Sequence, residues 1–468
     1  MKFPSLAEGV SFGGVSFCRD VRQVVASADG RGYVAAGVRR RVSVAAGALL
    51  LCVSAVYGQG TAAPYAHGAN RADAFVNSIG VVTHLTYTDT AYYAQWPQVL
   101  GALQSLGVRH IRDGYYDWEP GTPFIAEHRQ LTQSGIKTNY VVPYNSQTTA
   151  QSIASIASQV GDMESLEDPN ECDVAGNCGG STVASSLLGL FNMMPTIDAA
   201  GEALKVPVLG PSFTQVPTYL TVGNLDSTMS YNNLHVYFGG RYPGSAGWGA
   251  PDWLGNFYGS LAFWLNQASL DGPSTATMVT ETGYMSFPGQ AIPYTIPESV
   301  EASYIPRSLL LAFKAGVRRT YLYELLDEPS SPGYGLLRSD LSPKPSYTAV
   351  QNLIAIFNDK GSNFTPGTLP YATAGGGSSL KQLLFEKRDG SFWLVLWLEQ
   401  SSFDTAHYVP TPVTPQKVNL TLGAGYACWG IGSFDDTGNV TWTSPHASGN
   451  AIPLTISDQV TVVKVLAQ

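Results

Sequence analysis

From about residue 70 to residue 358 the chain alternates, eight times over, between short apolar runs and longer segments whose apolar residues recur every three or four positions. "FVNSIGVVTHL" (75–85) reads as a strand and "WPQVLGALQSLG" (96–107) as an amphipathic helix. "VRHIRDG" (108–114) and "IKTNYVVPYN" (136–145) read as strands around a helix that ends at Gly135. The rhythm continues through "DMESLEDPNE", "VPVLGPSF", "MSYNNLHVYFGG", "TATMVTETGY" and "VRRTYLYELLDEP", each followed by a helical pattern, with "SYTAVQNLIAIFND" last. Strands that alternate with helices must pair in parallel, because each helix carries the chain back to the start of the next strand. Eight such units over about 290 residues predict an α/β fold of the (β/α)8 TIM-barrel type, which usually takes about 250 residues. A doubly wound sheet is the alternative, but no glycine-rich dinucleotide fingerprint follows the first strand.

Past residue 359 the period changes. "TAGGGSS" is a flexible connector, and the remainder reads as strands, with Asp389-Gly390 as a hairpin turn. The division expected is therefore a leader over 1–61, a barrel over 62–358 and an all-β sandwich over 359–468. The leader follows from "RRRVSVAAGALLLCVSAVYGQG": a basic start, about 16 apolar or small residues and a small-residue end, the layout of a secretion signal. That run is short for a membrane span, which needs roughly 20 residues, although a signal anchor is the alternative. The expected location is secreted or periplasmic, with no stable membrane insertion once the signal is removed. Residues 1–61 carry seven Lys and Arg against three Asp and Glu, so the rest of the chain, from a total of −9, carries −13. Such an acidic protein is a poor partner for nucleic acid.

Five cysteines are present, at positions 18, 52, 172, 178 and 428. Cys172 and Cys178, six apart in "CDVAGNC", are expected to form a disulfide in an oxidising compartment. Zinc is the weaker reading, because no second Cys or His pair lies close by in sequence. Cys428 is left over as a free thiol expected to be buried. Asn363, Asn419 and Asn439 lie in N-x-Ser/Thr patterns.

A barrel works at the carboxyl ends of its strands, where the following loops surround one mouth. Strand 4 ends on Asn170 and Glu171, strand 7 on Glu281, strand 6 on His235 and Tyr237, and strand 2 on Arg112 and Asp113. Strand 1 supplies His84, strand 3 Tyr144 and Asn145, and strand 8 Glu324. Two glutamates on strands 4 and 7 form the pair that glycoside hydrolysis requires: one attacks the anomeric carbon while the other protonates the leaving oxygen. An ionised Glu281 is expected to raise the pKa of Glu171.

"EDPNE" and "TETG" on strands 4 and 7 of an eight-unit barrel resemble the retaining glycoside hydrolases of clan A, and most closely the family 39-like branch. "SLLLAFKAGVRRTYLYELLDE" and "YGLLRSDLSPKPSYTAVQNL" resemble the end of such barrels, and the likeness covers roughly residues 70–358. It implies Glu171 as acid/base, Glu281 as nucleophile and Asn170 as the partner of the sugar 2-hydroxyl. It implies Arg112 as the arginine that keeps the nucleophile ionised, with His235 and Tyr237 near that nucleophile. Strand 8 departs from the pattern, with Tyr323-Glu324 where many members carry Trp. A β-sandwich is a frequent companion of such barrels.

Each residue also has a plainer reading. Glu167, four before Glu171, is expected to be the buried partner of a basic residue, and Arg112 is a candidate for that partner. His84 and His235 are substrate contacts or hydrogen-bonded wall residues. Asp327 and Glu328 are expected to cap a loop. Trp248, in a Gly-rich loop, is the better sugar-stacking candidate, while Trp264, Trp393 and Trp397 are expected in cores. Taken together, the sequence points to cofactor-free, metal-free hydrolysis of β-linked sugars in a polysaccharide or oligosaccharide, acting within the chain. Exo-acting β-glycosidase (β-xylosidase-like), transglycosylase and noncatalytic carbohydrate-binding protein are the alternatives.

Overall fold

The computed structural model describes residues 63–115, 123–161, 163–288, 294–445 and 450–468. The expected leader and the basic run at Arg39-Arg40-Arg41 lie outside the described residues. Among the described residues no helix is long and apolar enough to cross a membrane.

Eight parallel strands form the barrel: β1 (Ile79–Val82), β2 (His110–Gly114), β3 (Lys137–Val141), β4 (Met163–Glu167), β5 (Val208–Leu209), β6 (Asn232–His235), β7 (Thr277–Thr282) and β8 (Thr320–Leu322). A helix follows each: α1 (Trp96–Leu106), α2 (Pro123–Gln133), α3 (Ala150–Val160), α4 (Val183–Leu204), α5 (Val216–Thr221), α6 (Leu261–Asp271), α7 (Glu298–Lys314) and α8 (Pro345–Phe357). Hydrogen bonding runs β5-β4-β3-β2-β1-β8-β7-β6. The ring closes where the Gly210 amide donates to the Tyr231 carbonyl at 2.9 Å, next to the Leu209–Tyr231 bridge.

The strands are mostly buried, because helices cover them outside and side chains fill the interior. All four residues of β1 are buried. Gly80 lies there because any Cβ would come within 2.4 Å of the Tyr321 ring, which fills the interior beside it. The helices start where the sequence supplies caps: Thr149 with Ser152, and Thr182 with Ser185, form reciprocal capping boxes ahead of α3 and α4.

Two antiparallel sheets make the sandwich. One contains β9 (Thr368–Gly375), β12 (Gln416–Leu422) and β15 (Ala451–Ile456). The other contains β10 (Leu380–Glu386), β11 (Phe392–Leu398), β13 (Tyr426–Phe434), β14 (Val440–Thr443) and β16 (Thr461–Ala467). Each sheet also takes an edge strand from ahead of the barrel, Tyr65–Gly68 beside β9 and Asn70–Arg71 beside β10. Residues 65–71, read from sequence as the start of the barrel segment, thus hydrogen-bond to the sandwich. The segment 75–85 also differs from its reading as one strand. Ala72–Val76 is a short helix, because it lets Phe75 pack against Phe313, Phe357 and Phe385 with ring centroids 5.3–5.6 Å apart.

The sandwich interior forms one core around Leu394, Leu396, Val418 and Val463. Its other face joins the barrel core through Phe385, Trp393 and Trp397, which places both tryptophans, like Trp264, in a core. Cys172 and Cys178 form a disulfide, and Cys428 is a half-buried free thiol.

Candidate active site

Strand register brings the polar residues together. Arg112 on β2 pairs with Asn139 on β3, and Glu281 on β7 pairs with His235 on β6. Arg112 is buried at the centre. Its Nη1 donates to Glu281 Oε1 at 2.7 Å, its Nη2 to Glu167 Oε1 and to Asn170 Oδ1 at 2.7 Å each, and its Nε to both Glu167 oxygens at 3.1 Å. Arg112 is therefore the partner of Glu167 and also binds Glu281. Burial opposes its charge, but Glu167 and Glu281 outweigh burial and hold the guanidinium protonated. Glu167 takes further hydrogen bonds from Asn139 Nδ2 at 2.5 Å and Asn233 Nδ2 at 2.9 Å, so its buried charge is fully partnered.

Glu281 also accepts from the Tyr237 hydroxyl, on its other oxygen, at 2.8 Å. Across the mouth, Glu171 hydrogen-bonds His235 Nδ1 at 2.8 Å, and that nitrogen lies 3.6 Å from Glu281 Oε2. Carboxylate oxygens of Glu171 and Glu281 and a ring nitrogen of His235 all lie within 4.8 Å of one another.

The hydrogen bonds around His235 bear on its protonation. Thr280 donates its single hydroxyl proton to Asn233 Oδ1 at 2.5 Å, so its oxygen can only accept from His235 Nε2, 3.2 Å away. Two carboxylates facing Nδ1, and a Thr280 hydroxyl aimed at Asn233 and Glu167 rather than at Nε2, favour the imidazolium form of His235. Burial lowers its pKa, but the charges of Glu281 and Glu171 outweigh burial and raise it above the ordinary 6.5. The expected rise in the Glu171 pKa does not occur. Burial pushes it up, but the hydrogen bond and charge of His235, with the charge of Arg112, bring it below the usual 4.5. The sequence reading considered Glu281 alone and left out the cation between the two acids.

Arg112, Glu171 and Glu281 line a cavity of about 420 Å3, within the usual range for ligand sites, while His235 and Tyr237 support them from behind. His84, Tyr144, Asn170 and Tyr323 line it too. His84 is held from behind: its Nδ1 lies 2.8 Å from Glu328 Oε1 and 3.1 Å from Glu324 Oε2. Burial opposes protonation of His84, but these carboxylates outweigh burial and raise its pKa to about 10. Glu324 thus backs a wall residue and does not line the cavity, and Glu328 belongs to the same cluster while also accepting from the Ser330 hydroxyl of its own loop at 3.2 Å. Asp327 instead pairs with Lys344 at 3.1 Å and accepts from the Gly335 amide. Glu171–His235–Glu281 and His84–Glu324–Glu328 each bring three ligating atoms within 4.8 Å. In both, the histidine Nδ1 lies at hydrogen-bond distance from a carboxylate, so a divalent cation would have to displace a shared proton.

Two expected residues are elsewhere. Asn145 does not line the cavity; its side-chain oxygen accepts from the Gln147 amide in a turn. Trp248 is occupied by packing: its ring lies against Gly259, where a Cβ would come within 2.1 Å, and Arg241 stacks on it 4.4 Å from the centroid. Asn177, Thr280, Asn139 and Asn233 were missed. For Asn139, Asn233 and Thr280 the available signal was polar residues at inward positions of otherwise apolar strands. Asn177 lies between the paired cysteines and carried no signal of its own.

No protein-family model matches the chain, and no curated protein matches it in sequence. The fold is similar to that of a family 39 glycoside hydrolase from the gut symbiont Bacteroides cellulosilyticus WH2. The TM-score is 0.55 at 14% identity, over 84% of this chain and 82% of that one. An α-L-arabinofuranosidase from Thermotoga maritima aligns over 80% of this chain and 90% of its own at 13% identity, with a TM-score of 0.46. The first of these likenesses establishes that the barrel and its sandwich have the architecture found in a family 39 glycoside hydrolase.

Proposed function

We propose that the protein is a retaining glycoside hydrolase, with Glu281 as nucleophile and Glu171 as acid and then base. The observation that carries this reading is the approach of the two carboxylates to within 4.8 Å, oxygen to oxygen. Carboxylates this close can flank a single scissile bond, as the paired acids of glycoside hydrolases do.

Each group's surroundings suit its role. Arg112 and Tyr237 donate to separate oxygens of Glu281 and fix its orientation towards the mouth. Glu281 attacks the anomeric carbon as the bond to the leaving oxygen breaks, and Glu171 protonates that oxygen. The proton rests on His235 in the free site and passes along the 2.8 Å hydrogen bond to Glu171 as it is needed. In the second half, Glu171 takes a proton from water, the resulting hydroxide attacks the same carbon, and Glu281 leaves. His235 then carries the proton again. Asn170 accepts from Arg112 through Oδ1, which leaves its amide free to bind a sugar hydroxyl beside the reacting carbon.

The substrate is a β-linked extracellular or cell-wall polysaccharide or oligosaccharide, cut within the chain. The connection after β4 lines the cavity through Asn177, so the site extends past the carboxylates. The Cys172–Cys178 disulfide and the signal-like residues 1–61 support export to an oxidising compartment. A broad β-glycan panel with sizing of the products tests the reading. The wild type should release sugars, and Glu281→Gln should abolish release while sugar binding persists. A wild type that releases nothing, or a variant that cuts at the wild-type rate, would refute it.

A further inference from the structure

We propose that the Cys172–Cys178 loop builds a binding subsite for a second sugar, on the leaving-group side of the reacting bond. The inference rests on the assignment of Glu171 as the acid.

The loop begins at the acid itself. Glu171 has a left-handed backbone (φ 48°), rare for a residue with a side chain, and the next residue is the fully buried Cys172. The loop is tied down from two sides. Asp173 accepts from the amides of Thr214 (2.9 Å) and Gln215 (2.6 Å), in the connection after β5. The Ser186 hydroxyl on α4 accepts from the Cys178 amide at 2.9 Å and donates to the Val174 carbonyl at 3.1 Å.

Two side chains face the cavity from this scaffold. Asn177 donates through Nδ2 to the Glu171 carbonyl at 3.1 Å, which presents its own carbonyl oxygen as an acceptor. Tyr144, from the end of β3, lines the same cavity and is 36% exposed. Its ring packs against Gly179, just past the loop, where a Cβ would come within 2.7 Å of it, and against Gly189 on α4, where a Cβ would meet the Cys178 carbonyl at 1.8 Å and the ring at 2.9 Å. Glycine at 179 makes room for the ring, and glycine at 189 brings α4 against the Cys178 carbonyl, so both glycines let the loop and the ring pack together.

Position supplies the assignment. Tyr144 and Asn177 come from β3 and the loop after β4, beside Glu171. His84 and Tyr323 come from β1 and β8, beside the strand of Glu281. The acid protonates the departing oxygen, so the wall beyond it receives the leaving group. A fixed aromatic face with an adjacent carboxamide suits a pyranose, whose C–H face stacks and whose hydroxyls hydrogen-bond. The preferred leaving group is therefore another sugar residue and not a simple alcohol or phenol.

The test compares kcat/KM for a 4-nitrophenyl β-glycoside with that for the β-linked oligosaccharide of the same sugar, the sugar being selected from a panel with the wild type. In Tyr144→Ala and Asn177→Ala the ratio of oligosaccharide to aryl activity should fall about tenfold, mainly through KM for the oligosaccharide, while Tyr144→Phe should keep the wild-type ratio. Should Tyr144→Ala fail to fold, the exposed Asn177 position carries the test. An unchanged ratio in Asn177→Ala, or a wild type that cleaves aryl glycosides and no oligosaccharide, would overturn the subsite and leave the hydrolase reading standing. A wild type that cleaves neither probe would overturn both.

Discussion

In the proposed mechanism, His235 is the residue on which the acid chemistry turns. It is the cation between two carboxylates, and its Nε2 is committed to Thr280. The pair it forms with Glu171 keeps a proton until the pH rises through the histidine's pKa, which lies above 6.5. The alkaline limb of kcat/KM, which reports the free enzyme, should therefore fall above pH 6.5 in the wild type. In His235→Asn the proton can rest only on Glu171, and the limb should move down towards the carboxyl range. A profile that loses height without moving would mean that His235 only shapes the site. The sequence made Arg112, Glu171, Glu281, His235 and Tyr237 legible, because each lies at a strand's carboxyl end in a barrel. The proton's location was not legible. It depends on a hydrogen-bond chain through Asn233 and Thr280, residues on two strands more than 40 positions apart in sequence.

At the scale of elements, α7 is the brace between barrel and sandwich. Its Arg307 is fully buried and pairs with Glu399, just after β11, and it donates to the Gln400 carbonyl at 2.9 Å. Trp397 Nε1 donates to the same Glu399 at 2.5 Å. Arg307→Met leaves a buried carboxylate without its cation and should cost about 3–5 kcal/mol, measured by denaturant unfolding. A loss below about 1 kcal/mol would mean that Glu399 finds water or another partner. The barrel was readable because its strands and helices alternate locally in sequence. The two edge strands over residues 65–71 were not, because Tyr65 pairs with Tyr371 and Asn70 with Phe385, some three hundred positions away. Trp248 was misread for a different reason: its partners are close in sequence, but only the folded loop shows that Arg241 and Gly259 pack on its ring.

For the molecule as a whole, burial gives several acids a common leaning. Desolvation raises Asp113, Asp271, Glu301 and Glu324 to about 7, against ordinary values of 3.8 for Asp and 4.5 for Glu. The folded state thus keeps protons that the unfolded chain releases. This contribution is full below the ordinary values and is lost as pH rises through 7. His84, raised from 6.5 to about 10, adds a loss of the same sign at higher pH. Tm by calorimetry should therefore fall between about pH 5.5 and about pH 9, and a rising Tm over that interval would contradict this balance. The proposed catalysis depends on a narrower claim, that Glu281 forms a bond to the sugar during turnover. A 2-deoxy-2-fluoro-β-glycosyl fluoride of the accepted sugar, followed by peptide mass mapping, tests it most directly. The site described here predicts one fluoro-sugar attached to Glu281; turnover of that reagent with no adduct, or with the label on any other residue, would contradict it.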